Sequence, residues 1–271
     1  MKFRFGPLAL LASLALVAAC PAAHAAPAAR TLQVFAAASL SDAFGELGRQ
    51  LEGARPGLAV QFNFAGSQQL AAQVEQGATP ALFASADERS MDRLASAGLL
   101  DGAPVVFATN RIVAIVPRTN PGRVRDLCGL ARDGLKVVLA ADAVPAGRYA
   151  RTVLRALSTP GACGADYAAR VLGNVVSEEE NVKAVVGKVQ LGEADAGFVY
   201  VSDVTPAVAR FVTVLGVPDS ANVTARYPSA FLRGAGENAA ARAFVDLVRS
   251  DAGRRVLQRH GLRPALGAFG R

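Results

Sequence analysis

Three short stretches of this 271-residue sequence share a chemistry. Ala37-Ala38-Ser39, Ala65-Gly66-Ser67 and Pro145-Ala146-Gly147 each follow a strand-like apolar run and precede apolar residues at helical spacing. Bulk is removed just where a helix begins. The start of a helix carries backbone N–H groups without intrahelical partners and a partial positive charge. Small side chains let those groups approach a ligand, and serine adds a hydroxyl donor. In open α/β sheets, ligands sit beyond the carboxyl ends of the strands, where such turns lie. The chemistry on offer is an anion site that needs no Lys or Arg. Each turn also has a plainer reading. Ser39 and Ser67 suit a helix N-cap, and Pro145 suits the first position of a helix. Ser41 competes with Ser39 for the cap; if Ser41 caps, Ser39 is free to bind.

The residue types that catalysis needs are sparse. There is no Gly-x-Ser-x-Gly elbow. The only histidines are His24 and His260, and His24 falls in an N-terminal leader. His260, in Arg259-His260-Gly261, fits a helix C-terminus, where a capping or dipole role is the default. With so few imidazoles, no direct metal ligands are expected. Glu178-Glu179-Glu180 suits the first turn of a helix, where carboxylates are favoured. These residues argue against an enzyme. An exported α/β enzyme is the alternative of a different class.

The elements that must position the turns alternate along the chain. Strands are expected at 32–37, 58–64, 81–85, 136–141 and 196–201, with extended segments at 105–108 and 111–117. Helices are expected at 41–51, 67–76, 90–97, 146–157, 178–191, 239–247 and 252–259. Phe44, Leu47 and Leu51 share one face of the first helix; Val182, Val185, Val186 and Val189 share one face of the helix at 178–191. Such alternation predicts parallel sheets with helices on both faces. It runs longer than one small sheet needs. The expectation is two doubly wound α/β domains joined by a hinge, with crossings near 109–116 and 211–217. The first domain is discontinuous, 30–109 and 211–266; the second is 110–210; a ligand cleft lies between them.

Lys2 and Arg4, an apolar run over about 5–19 and Ala23-His24-Ala25 form a secretory leader, 1–25, cut after Ala25. A second reading takes Val17-Ala18-Ala19-Cys20 as a lipobox with Cys20 acylated. Either way the mature chain is exported. Removing Lys2 and Arg4 from 29 basic residues leaves 27 against 22 acidic ones, a net charge of about +5. The excess is scattered Arg without a basic block or aromatic platform, so nucleic acid is not an expected partner. Cys128 and Cys163 remain after the leader. In an exported chain such a pair forms a disulfide; the alternative is two buried, unpaired thiols.

The residues as a set resemble the periplasmic molybdate-binding proteins of molybdate ABC transporters. The matching pieces are VFAAASLSDAF (34–44), FAGSQQLAAQVEQGA (64–78), LFASADERSMDRL (82–94), VPAGRYARTVL (144–154), EENVKAVVGKVQLGEADAGFVYVSD (179–203) and YPSAF (227–231). The resemblance covers nearly the whole mature chain in order. The resemblance implies a type II periplasmic binding-protein fold that closes on one tetrahedral oxyanion. It implies hydroxyl and N–H donors from Ser39 and Ser67, backbone N–H groups from Ala146 and Val182, and the phenol of Tyr200. Packing roles in the cleft are the plain alternatives for Tyr200 and Val182. The ligand would be molybdate, with tungstate also accepted and sulfate the alternative; no cofactor is implied. The partners would be a membrane permease and ATPase, with the receptor itself a periplasmic monomer. Two features stand apart from the family. Pro80-Ala81 replaces an Ala-Asp pair, a change expected to touch a strand end or domain contact rather than the anion. The cysteine pair is not general. Glu178–Glu180 must also point away from the cleft, since an acidic cluster inside it would oppose an anion.

Overall fold

The computed structural model describes residues 1–2 and 30–265. The leader cleavage site, Cys20 with its lipobox reading, and His24 lie outside the described residues.

β1 (Arg30–Ala37) opens the fold. Its side chains alternate as a strand requires. Leu32, Val34 and Ala36 pack with Phe44 and Leu47, while Phe35 packs with Leu70, Val74 and Met91 on the opposite face. A single 3-10 turn, Ala38–Leu40, leads into α1 (Ser41–Ala54). Next come β2 (Leu58–Ala65), α2 (Ser67–Glu75), β3 (Leu82–Ala84), α3 (Glu88–Ser96) and the long β4 (Leu100–Pro117). The chain continues through β5 (Val137–Ala140), α4 (Pro145–Leu157), α5 (Tyr167–Gly173), β6 (Val175–Glu179), α6 (Val182–Gln190), β7 (Ala196–Tyr200) and a short α7 (Pro206–Ala209). It finishes with β8 (Val212–Gly216), β9 (Thr224–Leu232), α8 (Ala239–Arg249), α9 (Asp251–Arg259) and β10 (Arg263–Pro264).

The strands make two sheets that share β4. In the first lobe β1 runs parallel to β2 and β3, and β9 lies antiparallel between β3 and β4. β10 adds to β4 at Ala108 and Thr109. In the second lobe β4 is flanked by β7 and β8, and β5 runs parallel between β7 and β6. This is a two-lobed α/β fold. The first lobe is centred on Phe44, whose ring lies 5.2 Å from Phe244 and 5.6 Å from Phe107 between centroids. Burying one such ring contributes about 1.5–3 kcal/mol.

β4 changes sheets between Arg111, which pairs with β9, and Ile112, which pairs with β7. That point falls inside the expected crossing at 109–116. The other expected crossing, 211–217, is instead β8, laddered to β4 in the second sheet. The return comes between Gly216 and Thr224. Asn222 ties it down, accepting the Ile112 N–H at 3.1 Å and donating to the Ile112 carbonyl at 2.8 Å. The clamp therefore sits at the residue where β4 changes partners.

The helix expected over 178–191 is shorter at its start. Glu178 and Glu179 end β6, and α6 begins only at Val182. The carboxylates are held by cations rather than by a helix start: Glu178 pairs with Arg151, and Glu179 with Lys188 at 2.6 Å. Cys128 and Cys163 are joined in a disulfide, which ties the turn at Cys128–Ala131 to the loop before α5. Beside it the buried Tyr167 donates to the Leu127 carbonyl at 2.6 Å.

Candidate anion-binding site

β1 and β2 end level, with Ala37 opposite Ala65, and β3 ends beside them, with Ala84 opposite Ala36. The chain turns of the second lobe face these ends across a cleft. Ser39, Ser67, Ala146, Val182 and Tyr200 line one cavity there. Its free volume is small, about 10 Å³, close to the least that holds one water molecule.

Four chain turns bring these residues in. Ser39 sits in the 3-10 turn ahead of α1 and is 4% exposed. Neither Ser39 nor Ser41 caps α1 through its side chain, so Ser41 is not the cap that its position suggests. Ser39 Oγ instead meets the Tyr227 hydroxyl at 3.0 Å. Ser67 is the first residue of α2, behind the N-cap Gly66. Its Oγ accepts the Ala86 N–H at 3.0 Å. Ala146 follows Pro145 in the first turn of α4, and Val182 is the first residue of α6. Both side chains are buried while their backbones stand at helix starts, where N–H groups lack intrahelical partners. Gly147 lets α4 start this close to its strand: a Cβ there would lie 2.1 Å from the Ala140 carbonyl oxygen. A Cβ at Gly66 would lie 2.6 Å from the Glu180 carbonyl oxygen of the other lobe. That glycine permits the close approach of the two lobes.

Tyr200 ends β7 and is 1% exposed. Its hydroxyl is buried without a hydrogen-bond partner. Burial, with Tyr227 and Tyr149 close by, holds its pKa well above the ordinary tyrosine value, so the phenol keeps its proton. A buried hydroxyl left unpaired costs about 1–3 kcal/mol, and this one lines the cavity. No charged side chain lines it among the described residues. The acidic cluster that would have opposed an anion is absent from the lining; Glu180 faces α2, its carboxylate accepting from Gln69 at 3.1 Å and its carbonyl from Gln68 at 3.2 Å.

Charge gathers just outside. Arg148 of α4 pairs with Asp87, which is 1% exposed and belongs to the other lobe. Asp87 also caps α3 by accepting the Ser90 N–H at 3.1 Å. Lys183 of α6 reaches Asp42 of α1 at 2.7 Å and the buried Asp203 at 3.4 Å. Burial works against the Lys183 ammonium, but Asp203 and Asp42 outweigh it and raise its pKa. For Asp203 burial wins over Lys183, and its pKa also rises. Asp203 accepts the Tyr200 N–H at 3.0 Å and so fixes the end of β7. Asp87, Arg148, Lys183, Asp203 and Tyr227 all lie in the quoted pieces and Asn110 lies outside them, but their bonds across the fold carry no sign in the sequence. Pro80-Ala81 stands ahead of β3, and Ala81 borders a separate pocket with Thr31 and Gln33. The departure lies at the strand starts, away from the cavity.

Uncharged donors converging between two hinged α/β lobes define a solute-binding protein. Residues 32–263 match the bacterial extracellular solute-binding protein family, and the chain belongs to it. It is an exported binding protein, not an enzyme. Among its relatives, the molybdate-binding protein ModA of Mycobacterium tuberculosis is 44% identical over 233 residues, which span 86% of this chain and 84% of that protein. The periplasmic molybdate-binding protein of Azotobacter vinelandii shares the fold with a TM-score of 0.74 at 22% identity, covering 88% of this chain and all of that one. The sulfate-binding protein SubI of Mycobacterium tuberculosis shares it with a TM-score of 0.76 at 18% identity, covering 88% of each chain.

Proposed function

We propose that this protein captures molybdate between its lobes and delivers it to the permease and ATPase subunits of an ABC transporter. The observation that carries the reading is the buried, unpartnered Tyr200 hydroxyl in a cavity lined by serines and helix starts and by no charged group. Molybdate at neutral pH is a fully deprotonated dianion, so it accepts hydrogen bonds and donates none. A lining of donors alone suits it. Ser39, Ser67 and Tyr200 would supply hydroxyls, and Ala146 and Val182 backbone N–H groups. Each bond to a charged acceptor contributes about 1.5–3 kcal/mol. Oriented dipoles balance the charge in place of a buried cation. The first lobe would comprise 30–111 with the returning C-terminal segment, and the second would run from 112 through β8, so that the expected boundary at 109–110 shifts to the change of sheet. Closure of the two over the anion is the working step, and no bond is made or broken.

Tungstate has nearly the same shape and charge and is expected to bind. Sulfate is smaller, so a fixed set of donors holds it less well. Calorimetry of the ligand-free mature protein with molybdate, tungstate, sulfate and phosphate tests this. Tight molybdate and tungstate binding with weak sulfate is the expected result. Preferred sulfate binding would reassign the receptor, and no heat with any oxyanion would overturn the reading.

A further inference from the structure

Among the hydrogen bonds behind Ser39, one set of directions gives the buried Tyr227 proton a partner. Asn110, 1% exposed, begins the chain. Its Oδ1 accepts the Arg111 N–H at 2.9 Å, which fixes the amide so that Nδ2 faces inward as the donor. Nδ2 has two protons and two partners, Ser202 Oγ at 2.7 Å and the Tyr227 hydroxyl at 3.3 Å. The Tyr227 oxygen therefore accepts from Asn110. Its own proton goes to its other partner, Ser39 Oγ at 3.0 Å. Tyr227 is fully buried, and burial pushes its pKa up, so that proton stays in place. Ser39 Oγ then receives a proton from behind, and its own proton is left to point into the cavity that it lines. The Ala86 N–H does the same for Ser67 in a single step.

We infer that Asn110 and Tyr227 are positioning residues that lock the Ser39 hydroxyl as a donor into the cavity, and so help the site reject oxyanions that carry a proton. The inference rests on the reading of the cavity as an oxyanion site. Its consequence is a preference at equal charge. Molybdate and hydrogen phosphate are both dianions, but hydrogen phosphate has a P–O–H group that needs an acceptor. With Ser39 held as a donor, that group meets none there.

Asn110→Asp reverses the chain. A carboxylate still accepts the Arg111 N–H, but it also accepts from Tyr227. The Tyr227 oxygen is then free to take the Ser39 proton, and a Ser39 lone pair faces the cavity. Calorimetry at mildly alkaline pH, with phosphate measured by competition against molybdate, reads the ratio of the two affinities. The added negative charge weakens both dianions alike and cancels in that ratio. The molybdate-to-phosphate preference should fall at least about tenfold, the size of one hydrogen bond to a charged group. A ratio unchanged from wild type would overturn the inference. If Asn110→Asp does not give a folded melting transition, Tyr227→Phe replaces it, keeping the ring and losing the donor. Molybdate affinity should then fall about tenfold, and adding Ser39→Ala should cost less than it does in wild type. Full additivity of the two substitutions would overturn the inference as well. Wild-type protein that binds no oxyanion would instead overturn the underlying reading, so the two failures are distinct.

Discussion

The cavity and its rim answer the same electrostatic problem in opposite ways. The cavity has no charged lining, and three hydroxyls stand among helix starts. A short distance out, the rim is dense with charge, and there two carboxylates have a cation from the facing lobe: Arg148 on Asp87 and Lys183 on Asp42. The difference separates two jobs. A dianion held by dipoles needs no buried cation, and a buried cation would itself need a counter-charge whenever the ligand left. Cations are used instead between lobes, where opening returns both partners to water. Under the proposed function the charge-free lining would give ligand choice, and the ion pairs would favour closure.

Placing a charge in the cavity breaks the comparison most severely. Ser67→Asp is well suited, because a carboxylate at the first position of α2 favours the helix and can still accept the Ala86 N–H. The fold should survive with a lowered melting temperature, because Ser67 is 1% exposed and the new carboxylate has no cation beside it. A carboxylate about 4 Å from a dianion, at an effective dielectric near 20, opposes it by about 8 kcal/mol. Calorimetry should show no molybdate binding. Retained binding would mean that the anion does not enter this cavity.

Cutting the rim is next in size. Arg148→Ala leaves the Asp87 carboxylate, 2% exposed in its side chain, without its cation whenever the lobes close. Only its bonds to Ser85 Oγ and the Ser90 N–H remain. Truncating one partner of a buried charge pair costs about 2–5 kcal/mol. Molybdate affinity should fall by that amount, mostly through faster release, since the pair forms with closure. Stopped-flow release rates separate this from a loss of contacts to the anion. An unchanged release rate would return the pair to a purely structural role.

How far this division could be read from sequence follows its physical scale. The small-residue turns were legible because a strand, a turn and a helix start are local; Ser39, Ser67 and Ala146 lie in them, whereas Val182 and Tyr200 followed only from the family resemblance. Ser39's freedom was legible only in part: Ser41 looked like the cap, yet neither serine caps, because a 3-10 turn sits where the cap would be. The Glu178-Glu179-Glu180 run misled because acidic residues favour helix starts. Their partners, Arg151 and Lys188, are revealed only when α4 and α6 pack beside β6. β9 carried no strand expectation, and Pro228 within it cannot donate to a ladder. The structure seats Pro228 opposite Val106, where the pairing with β4 shifts register before Ala108. The Asn110–Tyr227 bond spans 117 residues and has no local signature.

Tyr200→Phe sharpens the comparison from the cavity side. It removes one donor and nothing else, since the hydroxyl has no other partner. Molybdate affinity should fall by about 1.5–3 kcal/mol. The ligand-free protein should lose no stability, because an unpaired buried hydroxyl is a cost rather than a support. Paired melting curves with and without molybdate check both halves. A drop in the ligand-free melting temperature would show that the phenol serves the fold instead.

The smallest expected effect is that of pH on binding. Among the described residues, Tyr200 is the one ionisable group lining the cavity. Burial raises its pKa well above 10.0, so its donor proton persists as pH rises past the range in which an exposed tyrosine would lose it. Molybdate affinity measured from neutral into alkaline solution should therefore be flat. Stability behaves differently on the acid side. Glu46 is held below the ordinary carboxylate value of 4.5, chiefly by its bond to His260 and further by Arg259. Glu179 is also lowered: burial opposes this, but Lys188 and Ser177 outweigh it. A carboxyl lowered on folding stabilises fully above its unfolded pKa, and that contribution fades as pH falls through the folded value. Melting temperatures of the ligand-free protein should decline below about pH 4.5 for this reason, and Glu46→Gln should flatten part of the decline. A binding affinity that drifted across the alkaline range would place a titrating group in contact with the anion, and the separation of a charge-free cavity from a charged rim would fail.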